Sequence, residues 1–277
     1  MTIIAALLLF GVIVLIHEFG HFIFAKKNGV TVHEFALGMG PKLFGIERNG
    51  TVYSVRILPI GGFCAMEGED EESNDPGSFG QKSILQRASI IFAGPFFNLV
   101  LAVIFLIPVF IYIGSPTTKL DQITANSPAY EANLKSGDIV KSINGQEINS
   151  WNEFTQKITQ SKGQPLNLVV DRDNKSVNIT VTPKKAEDGT YKVGVTCVRN
   201  KNIINSIKES FVTTGQMIVQ MIIFLKQMIT GTVPGGFSNS VAGPVVILSI
   251  VSGAAKTGII NLLYLGSIIS LNLGIIN

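Results

Sequence analysis

The sequence predicts a multi-pass α-helical membrane protein with one water-soluble α/β domain inserted between its apolar segments. Hydrophobic residues make up 46% of the 277 residues and charged residues only 15%, whereas a typical soluble domain has about 25% charged residues. Most of the charges lie in two polar stretches, 26–87 and 115–208. The net charge of +3 is too small for a phosphate-binding surface, so we expect no nucleic-acid partner.

Three apolar runs are long enough to cross a bilayer, which takes about 20 apolar residues. We expect membrane spans at residues 1–26, 88–114 and 257–277. The first run has no basic start and no small-residue cleavage site, so it predicts a retained helix and not a signal peptide.

A fourth segment, 211–231, combines apolar residues with a polar helical stripe of Thr213, Gln216, Gln220 and Gln227. Lys226 is costly in the middle of a membrane. The segment therefore predicts an amphipathic helix at the membrane interface, within a connecting region 201–256.

Basic residues next to the spans predict the orientation of the chain in a cell membrane. Lys26 and Lys27 follow the first span, and Lys82 and Arg87 precede the second. We therefore expect residues 27–87 on the cytoplasmic side, and the N-terminus and residues 115–200 outside. This arrangement separates Cys64 from Cys197, which should not form a disulfide. The acidic run 67–75 predicts a solvated loop.

The first span contains the sequence His17-Glu18-Phe19-Gly20-His21, an H-E-x-x-H motif. Positions i and i+4 of a helix share a face, so two imidazoles placed in this way can bind one zinc ion. The glutamate beside the first histidine is then positioned as the general base for a metal-activated water. A pair of structural histidines with Glu18 as a buried ion-pair partner is the alternative. Ionisable residues inside a span are expensive, which favours the zinc site.

Catalytic zinc usually has three protein ligands, and the motif supplies two of them. The sequence from 210 to 277 contains no Asp, Glu, His or Cys, and neither does the span at 88–114. The last apolar run also reaches Asn277 without a basic anchor. We therefore expect a chain that is truncated before its third ligand, and that is weakly active or inactive as written.

Four further elements follow the motif along the chain. They are Pro59-Ile60-Gly61-Gly62-Phe63, Ala93-Gly94-Pro95-Phe96-Phe97-Asn98, Gly243-Pro244-Val245 and Leu271-Asn272-Leu273-Gly274-Ile275-Ile276-Asn277. Together with the H-E-x-x-H motif, and in this order, they resemble the signature elements of the site-two protease family. This family comprises intramembrane zinc metalloproteases, and the resemblance is to its bacterial branch of regulated intramembrane proteolysis.

The resemblance implies a role for each matched residue. His17 and His21 would bind zinc, and Glu18 would be the catalytic base. Gly61 and Gly62 would belong to a membrane-associated β-loop whose edge pairs with an unwound substrate helix; a simple hairpin turn at the membrane surface is the alternative.

The matched asparagines are polar groups within apolar runs. Asn98, Asn272 and Asn277 would bind substrate, by contacting its backbone or supporting an oxyanion; tying helices together is the alternative for Asn98 and Asn272. Asn277 would match the asparagine that opens the family's last motif. The family's third ligand, the Asp of a Leu-Asp-Gly sequence, would follow Asn277.

The polar stretch 115–200 predicts a small α/β domain. Alternating β-branched residues predict strands at 166–170 and 177–181, and a helix is expected at 150–161, with Trp151 in the core. The sequence from Ala132 to Gly145 resembles the core of bacterial PDZ domains, and the stretch has room for one such domain. A PDZ domain would bind peptide termini or substrates already cut by a site-one protease, by strand addition. A spacer that only excludes large substrates is the alternative.

These features predict a zinc-dependent intramembrane endopeptidase that cleaves transmembrane segments of other proteins, such as anti-sigma factors or signal-peptide remnants. A catalytically incomplete, PDZ-bearing membrane adaptor is the alternative. A zinc transporter is a weaker one, because only the first span carries metal ligands.

Overall fold

The computed structural model describes residues 2–69, 71, 73–232 and 244–277, and the structural statements below concern these residues. The chain divides into two compact units, described in turn. The first comprises Met1–Tyr112 with Ile207–Asn277, and the second is Ile113–Ser206.

The helices and strands are given in chain order. They are α1 (Thr2–Lys27), β1 (Val32–Arg48), β2 (Thr51–Met66), α2 (Ile84–Ile113), β3 (Ser115–Ile123), α3 (Pro128–Glu131), β4 (Ile139–Ile143), β5 (Gln146–Glu147), α4 (Trp151–Gln160), β6 (Leu166–Arg172), β7 (Lys175–Val181), β8 (Lys184–Lys185), β9 (Tyr191–Lys192), β10 (Val195–Asn200), α5 (Ile203–Thr230), α6 (Pro244–Thr257) and α7 (Ile259–Ile276).

Four of the described helices are long and apolar enough to cross a membrane: α1, α2, α5 and α7. Three of them lie where the sequence predicts spans, although α2 begins at Ile84, four residues before the predicted start at 88. One apolar core is made by side chains from α1, α2, α6 and α7: Ala6, Leu9, Ile13, Leu101, Val251 and Leu262. This core fixes the part of α1 that precedes the H-E-x-x-H motif against its neighbours.

The region 201–256 differs from the sequence prediction in two ways. The predicted connection ends in a helix, α6, whose Val251 is fully buried in the helical core. α5 is longer than the predicted segment, and its 28 residues meet the length and composition of a span. Its mean hydropathy of 1.2 is below that of the other three candidates, so the interfacial placement of α5 stays a prediction. Gly243 lies outside the described residues, and Pro244 is the first residue of α6.

β1 and β2 form one sheet with two sets of partners. Residues 32–37 of β1 pair in antiparallel register with 62–66 of β2, and residues 42–48 pair in antiparallel register with 51–56. Residues 34–37 also pair with 52–55. In this pairing the residue numbers of both segments rise in the same direction, so the two segments run parallel. The segment 62–66 is consequently an outer strand of this sheet. It lies next to α1, since a Cβ added at Gly62 would stand 3.5 Å from Cγ of Glu18 and 3.8 Å from Cγ1 of Val14.

The second unit is a sheet with the strand order β10-β3-β4-β6-β7, packed against α4. The strands predicted at 166–170 and 177–181 are found as β6 and β7, and the helix predicted at 150–161 is α4, capped by the Ser150 side chain. Trp151 packs against the core beside Phe154, with ring centroids 4.9 Å apart. Cys64 in the first unit and Cys197 in the second are both free thiols.

Candidate metal centre

The H-E-x-x-H motif lies on α1 and brings two imidazoles together. Nε2 of His17 and Nε2 of His21 are 3.2 Å apart, and the rings meet edge to face with centroids at 4.8 Å. His17 is buried, with only 7% of its surface exposed. Two imidazole nitrogens that converge in this way from one helix turn are the arrangement that one zinc ion requires of such a motif.

The other ring nitrogen of His21 is held by α2. Nδ1 of His21 lies 2.8 Å from the carbonyl oxygen of Ile90, to which it can only donate a proton. Nε2 of His21 is then unprotonated and available as a ligand. A backbone carbonyl behind a metal-binding histidine is a common way to fix the tautomer and the ring orientation.

The other ring nitrogen of His17 is also held by α2. Nδ1 of His17 lies 3.0 Å from Nδ2 of Asn98, whose side chain is completely buried. Asn98 is in turn tied to α7, because Ser270 donates a hydrogen bond of 2.8 Å to its backbone carbonyl. The structure thus places Asn98 behind a histidine of the motif.

Two glycines allow the backbones of α1 and α2 to approach closely at this point. A Cβ added at Gly94 would stand 2.3 Å from Nε2 of His21, which no side chain tolerates. A Cβ added at Gly20 would stand 2.5 Å from the carbonyl oxygen of Ala93. Gly20, the second x position of the zinc motif, and the glycine of Ala93-Gly94-Pro95 therefore serve the same helix contact.

A cavity of about 390 Å³ opens beside the histidine pair. Its lining combines the motif with residues from the β sheet, the loop after it and two other helices: His17, Glu18, His21, Cys64, Met66, Glu69, Phe79, Ile90, Ile91, Pro95 and Asn277. Glu18 therefore faces the same space as both imidazoles. This places a carboxylate next to the volume in which a substrate bond and a metal ion would meet.

Cys64 also lines this cavity. Burial, with the nearby carboxylates of Glu18 and Glu69, raises the pKa of the Cys64 thiol to about 12. Without a metal ion beside it, the residue is consequently a neutral thiol at pH 7.

The remaining predicted site residues fall at different places. Gly62 lies against the motif, since a Cβ there would be 3.5 Å from Cγ of Glu18, while Gly61 faces Met39. Asn277 reaches the centre, with Nδ2 3.5 Å from Nε2 of His17. Asn272 lines a separate cavity of about 320 Å³ between α5 and α7. The structure therefore brings Asn98 and Asn277 to the histidine pair and Gly62 to Glu18, but neither Gly61 nor Asn272 to either.

Within the described ranges, no set of three His, Cys, Asp or Glu side chains is arranged to hold a metal ion. The two histidines still fit zinc as part of a site. Their Nε2 atoms converge, Gly94 leaves the space in front of them free of a side chain, and the buried Oδ1 of Asn98 has no partner in the described part of the chain. A proton on Nδ1 of His17, which metal binding through Nε2 requires, would supply that partner once half a turn of the amide brings Oδ1 to the ring.

Sequence reasoning missed three groups at the centre. The Ile90 carbonyl and Ser270 act through single contacts to residues 69 and 172 positions away, which no local pattern shows. Gly94 has a signal, because it stands in the Ala93-Gly94-Pro95 element, and glycine in a helix interior points to close backbone approach.

The second unit has a cavity of its own, of about 350 Å³. It is lined by one face of α4, including Trp151 and Ile158, and by residues 190–195, which end at the first residue of β10. β10 is the end strand of the sheet order.

Comparison with known proteins gives a consistent set of matches. A sequence model described as Peptidase family M50 matches residues 5–277. A Clostridium perfringens protein, whose name proposes a zinc metalloprotease, is 39% identical over all of this chain and 83% of its own length. The regulator of sigma-W protease RasP of Bacillus subtilis is 28% identical over all of this chain and 85% of its own length, in an alignment of 363 positions.

Among solved structures, the PDZ domain of an SdrC-like protein from Listeria monocytogenes covers 31% of this chain and 87% of its own, at 22% identity and a TM-score of 0.26. The second domain of a Listeria protein covers 31% of this chain and 83% of its own, at 25% identity and the same TM-score.

Proposed function

The chain belongs to peptidase family M50, and from that premise we propose that it is a zinc-dependent endopeptidase that cleaves transmembrane segments of other membrane proteins. The observation that carries the proposal is the convergence of the His17 and His21 Nε2 atoms, 3.2 Å apart, on a helix that is apolar enough to span a membrane. Ionisable side chains at such a place are expensive unless they have a function.

The residues have separate roles in this proposal. His17 and His21 hold the metal through Nε2, and Ile90 and Asn98 orient the two rings from behind. When bound, zinc supplies Lewis acidity that polarises the peptide carbonyl and makes water a better nucleophile near neutral pH. Glu18 takes the proton from the attacking water and passes it to the amine that leaves.

The outer strand at 62–66 supports a way to present the substrate. A peptide bond within a helix is hydrogen-bonded and poorly exposed, so the helix has to unwind before it is cut. A strand edge offers unpaired backbone groups to an extended peptide. Gly62 lies against Glu18, so a substrate strand added along this edge would pass close to the base.

The membrane arrangement follows from the same proposal. α1, α2 and α7 cross the plasma membrane, with Lys26, Lys27 and the β sheet on the cytoplasmic side. His21 is five residues from Lys26, or about 8 Å along a helix. The centre would therefore lie within the membrane, close to its cytoplasmic face, and the second unit would lie outside.

For the second unit we propose a PDZ-type peptide site. A chain terminus would add to β10 and place its last side chain in the cavity beside α4. If the unit acts only by excluding large substrates, filling this cavity by Ile158→Trp leaves cleavage of a trimmed substrate and of an untrimmed one unchanged.

The test is cleavage of a transmembrane substrate reconstituted with the protein in lipid vesicles. It uses this chain and a version continued past Asn277 by a Leu-Asp-Gly segment, because the described residues supply two ligands. Glu18→Gln should abolish cleavage, while Glu47→Gln, an exposed glutamate at the far end of β1, leaves it unchanged. Cleavage that persists in Glu18→Gln contradicts the proposal, and binding of peptide without cleavage in either version supports an adaptor instead.

A further inference from the structure

Asn98 takes part in a chain of hydrogen bonds that runs through both histidines. Its Nδ2 lies 3.0 Å from Nδ1 of His17, Nε2 of His17 lies 3.2 Å from Nε2 of His21, and Nδ1 of His21 lies 2.8 Å from the Ile90 carbonyl. The carbonyl can only accept, so the direction of the whole chain is fixed from that end. With both imidazoles neutral and the amide in this orientation, Asn98 donates to His17, and His17 donates from Nε2 to His21.

This direction is incompatible with metal binding at His17. A proton on Nε2 occupies the lone pair that a metal ion needs. The same orientation also leaves Oδ1 of Asn98 buried without a partner in the described part of the chain. Rotation of the amide by half a turn exchanges the two atoms, so that Oδ1 accepts from Nδ1–H of His17 and Nε2 is left free.

The contacts around Asn98 show that its side chain does not serve to tie α2 to α7. The link to α7 is made by the Asn98 backbone carbonyl, which accepts from Ser270, and not by the side chain. Close packing with α7 also surrounds the residue, since a Cβ added at Gly274 would stand 3.3 Å from Cβ of Asn98. The amide is therefore left with His17 as its partner.

We propose that Asn98 is a positioning residue that selects the metal-binding tautomer of His17, by accepting the Nδ1 proton when zinc is bound. This inference rests on the proposed function, and it assigns Asn98 to the metal centre instead of to the substrate. Loss of such a contact behind a ligand typically lowers metal affinity by about 10- to 100-fold.

The test measures the affinity of the full chain for Zn²⁺ alone, in detergent micelles, by competition with a chromophoric chelator. Asn98→Leu, similar in shape but unable to accept, should raise the Kd about 10- to 100-fold. Asn98→Asp, which can only accept, should bind zinc within about threefold of the wild type or more tightly. Ser267→Ala is the matched control, because among the described residues this buried serine on α7 bonds only to its own helix at Tyr264, and its Kd should not change.

Each outcome has a distinct meaning. A wild-type Kd in Asn98→Leu, or an equally weak Kd in Asn98→Asp and Asn98→Leu, overturns the inference and leaves the proposed function standing. Absence of zinc binding both in the wild-type chain and in the version continued past Asn277 overturns both. The melting temperature without zinc shows whether each variant folds.

A second measurement needs no variant. In the zinc-loaded wild type, Nδ1–H of His17 should give a slowly exchanging, deshielded ¹H–¹⁵N signal, because it donates to a buried oxygen. Absence of this signal overturns the inference.

Discussion

The closest approach at the centre joins Gly94 of α2 to His21 of α1, where a Cβ added to the glycine would stand 2.3 Å from Nε2 of the histidine. The two helices therefore meet through a bare backbone at the point where the ligands converge. The site therefore depends on glycine at position 94 as well as on the two imidazoles.

Gly94→Ala should weaken zinc binding at least tenfold, because the methyl group takes the space in front of His21 and overpacking costs about 1–3 kcal/mol. Gly253→Ala on α6 is the matched control, since a Cβ there meets no atom within 4 Å. The measurement is the Kd for Zn²⁺ of the two variants in micelles. Equal affinities would show that α1 and α2 can separate at this point without loss of the site.

Gly62→Val should lower kcat/KM for a transmembrane substrate at least tenfold and leave the zinc content unchanged. A Cβ at this position would be 2.7 Å from the carbonyl oxygen of Ala36 and 3.5 Å from Cγ of Glu18, so the strand beside the base has to move. Displacement of a catalytic group by about 1 Å lowers the rate roughly 100-fold. Full activity of Gly62→Val would remove the segment 62–66 from the account of catalysis.

Cys64 should react with a maleimide more slowly than Cys197 at pH 8. It is 7% exposed, and burial raises its pKa to about 12, so it presents little thiolate to the reagent. Peptide mapping after timed labelling of the full chain gives the two rates. A faster rate at Cys64 would mean that the cavity beside Glu18 is open to solvent and that the thiol is not buried.

The second unit should become less stable in acid, because protonation of Asp138 breaks its ion pair with Arg172. Burial opposes ionisation of Asp138, but hydrogen bonds from the Arg172 side chain and the Lys135 backbone hold its pKa below the usual value. A carboxylate whose pKa is lowered by folding stabilises the native state above its unfolded pKa, near 4, and loses that contribution as the pH falls through the folded pKa.

Asp138→Asn should therefore destabilise this unit by about 3 kcal/mol at pH 7, because Arg172 loses its partner, and should flatten its dependence on pH below 4. Asp121→Asn, an exposed aspartate on β3, is the control with little effect. Hydrogen exchange of segments 139–143 and 166–181 within the full chain measures both effects. Equal protection of Asp138→Asn and the wild type at pH 7 would contradict the prediction.

The sequence predicts the part of the site that depends on local geometry. His17, Glu18 and His21 are found on one helix because a spacing of four residues places two side chains on one face, whatever surrounds them. The direction of the Asn98 side chain depends on how α2 rotates against α1, 81 residues away, and the roles predicted for Asn98 did not include a contact with His17.

Prediction of the fold from the sequence has the same limit, because it succeeds only for elements that depend on local residues. The apolar runs predict α1, α2 and α7, because their length and composition allow few other structures. β1 was not predicted, since Gly38, Gly40, Pro41 and Gly45 interrupt its alternation and its two sets of partners appear only in the folded sheet. α6 was missed in the same way, because its helix is short and is stabilised by packing of Val251 against α1.

The zinc content of the purified chain and of three variants tests the central claim most directly. The wild type should bind one zinc ion per chain, Glu18→Gln should bind the same amount, and His17→Ala should bind none, because the histidine is a ligand and the glutamate is a base. Glu47→Gln should match the wild type. A metal content that is unchanged in His17→Ala would contradict the account.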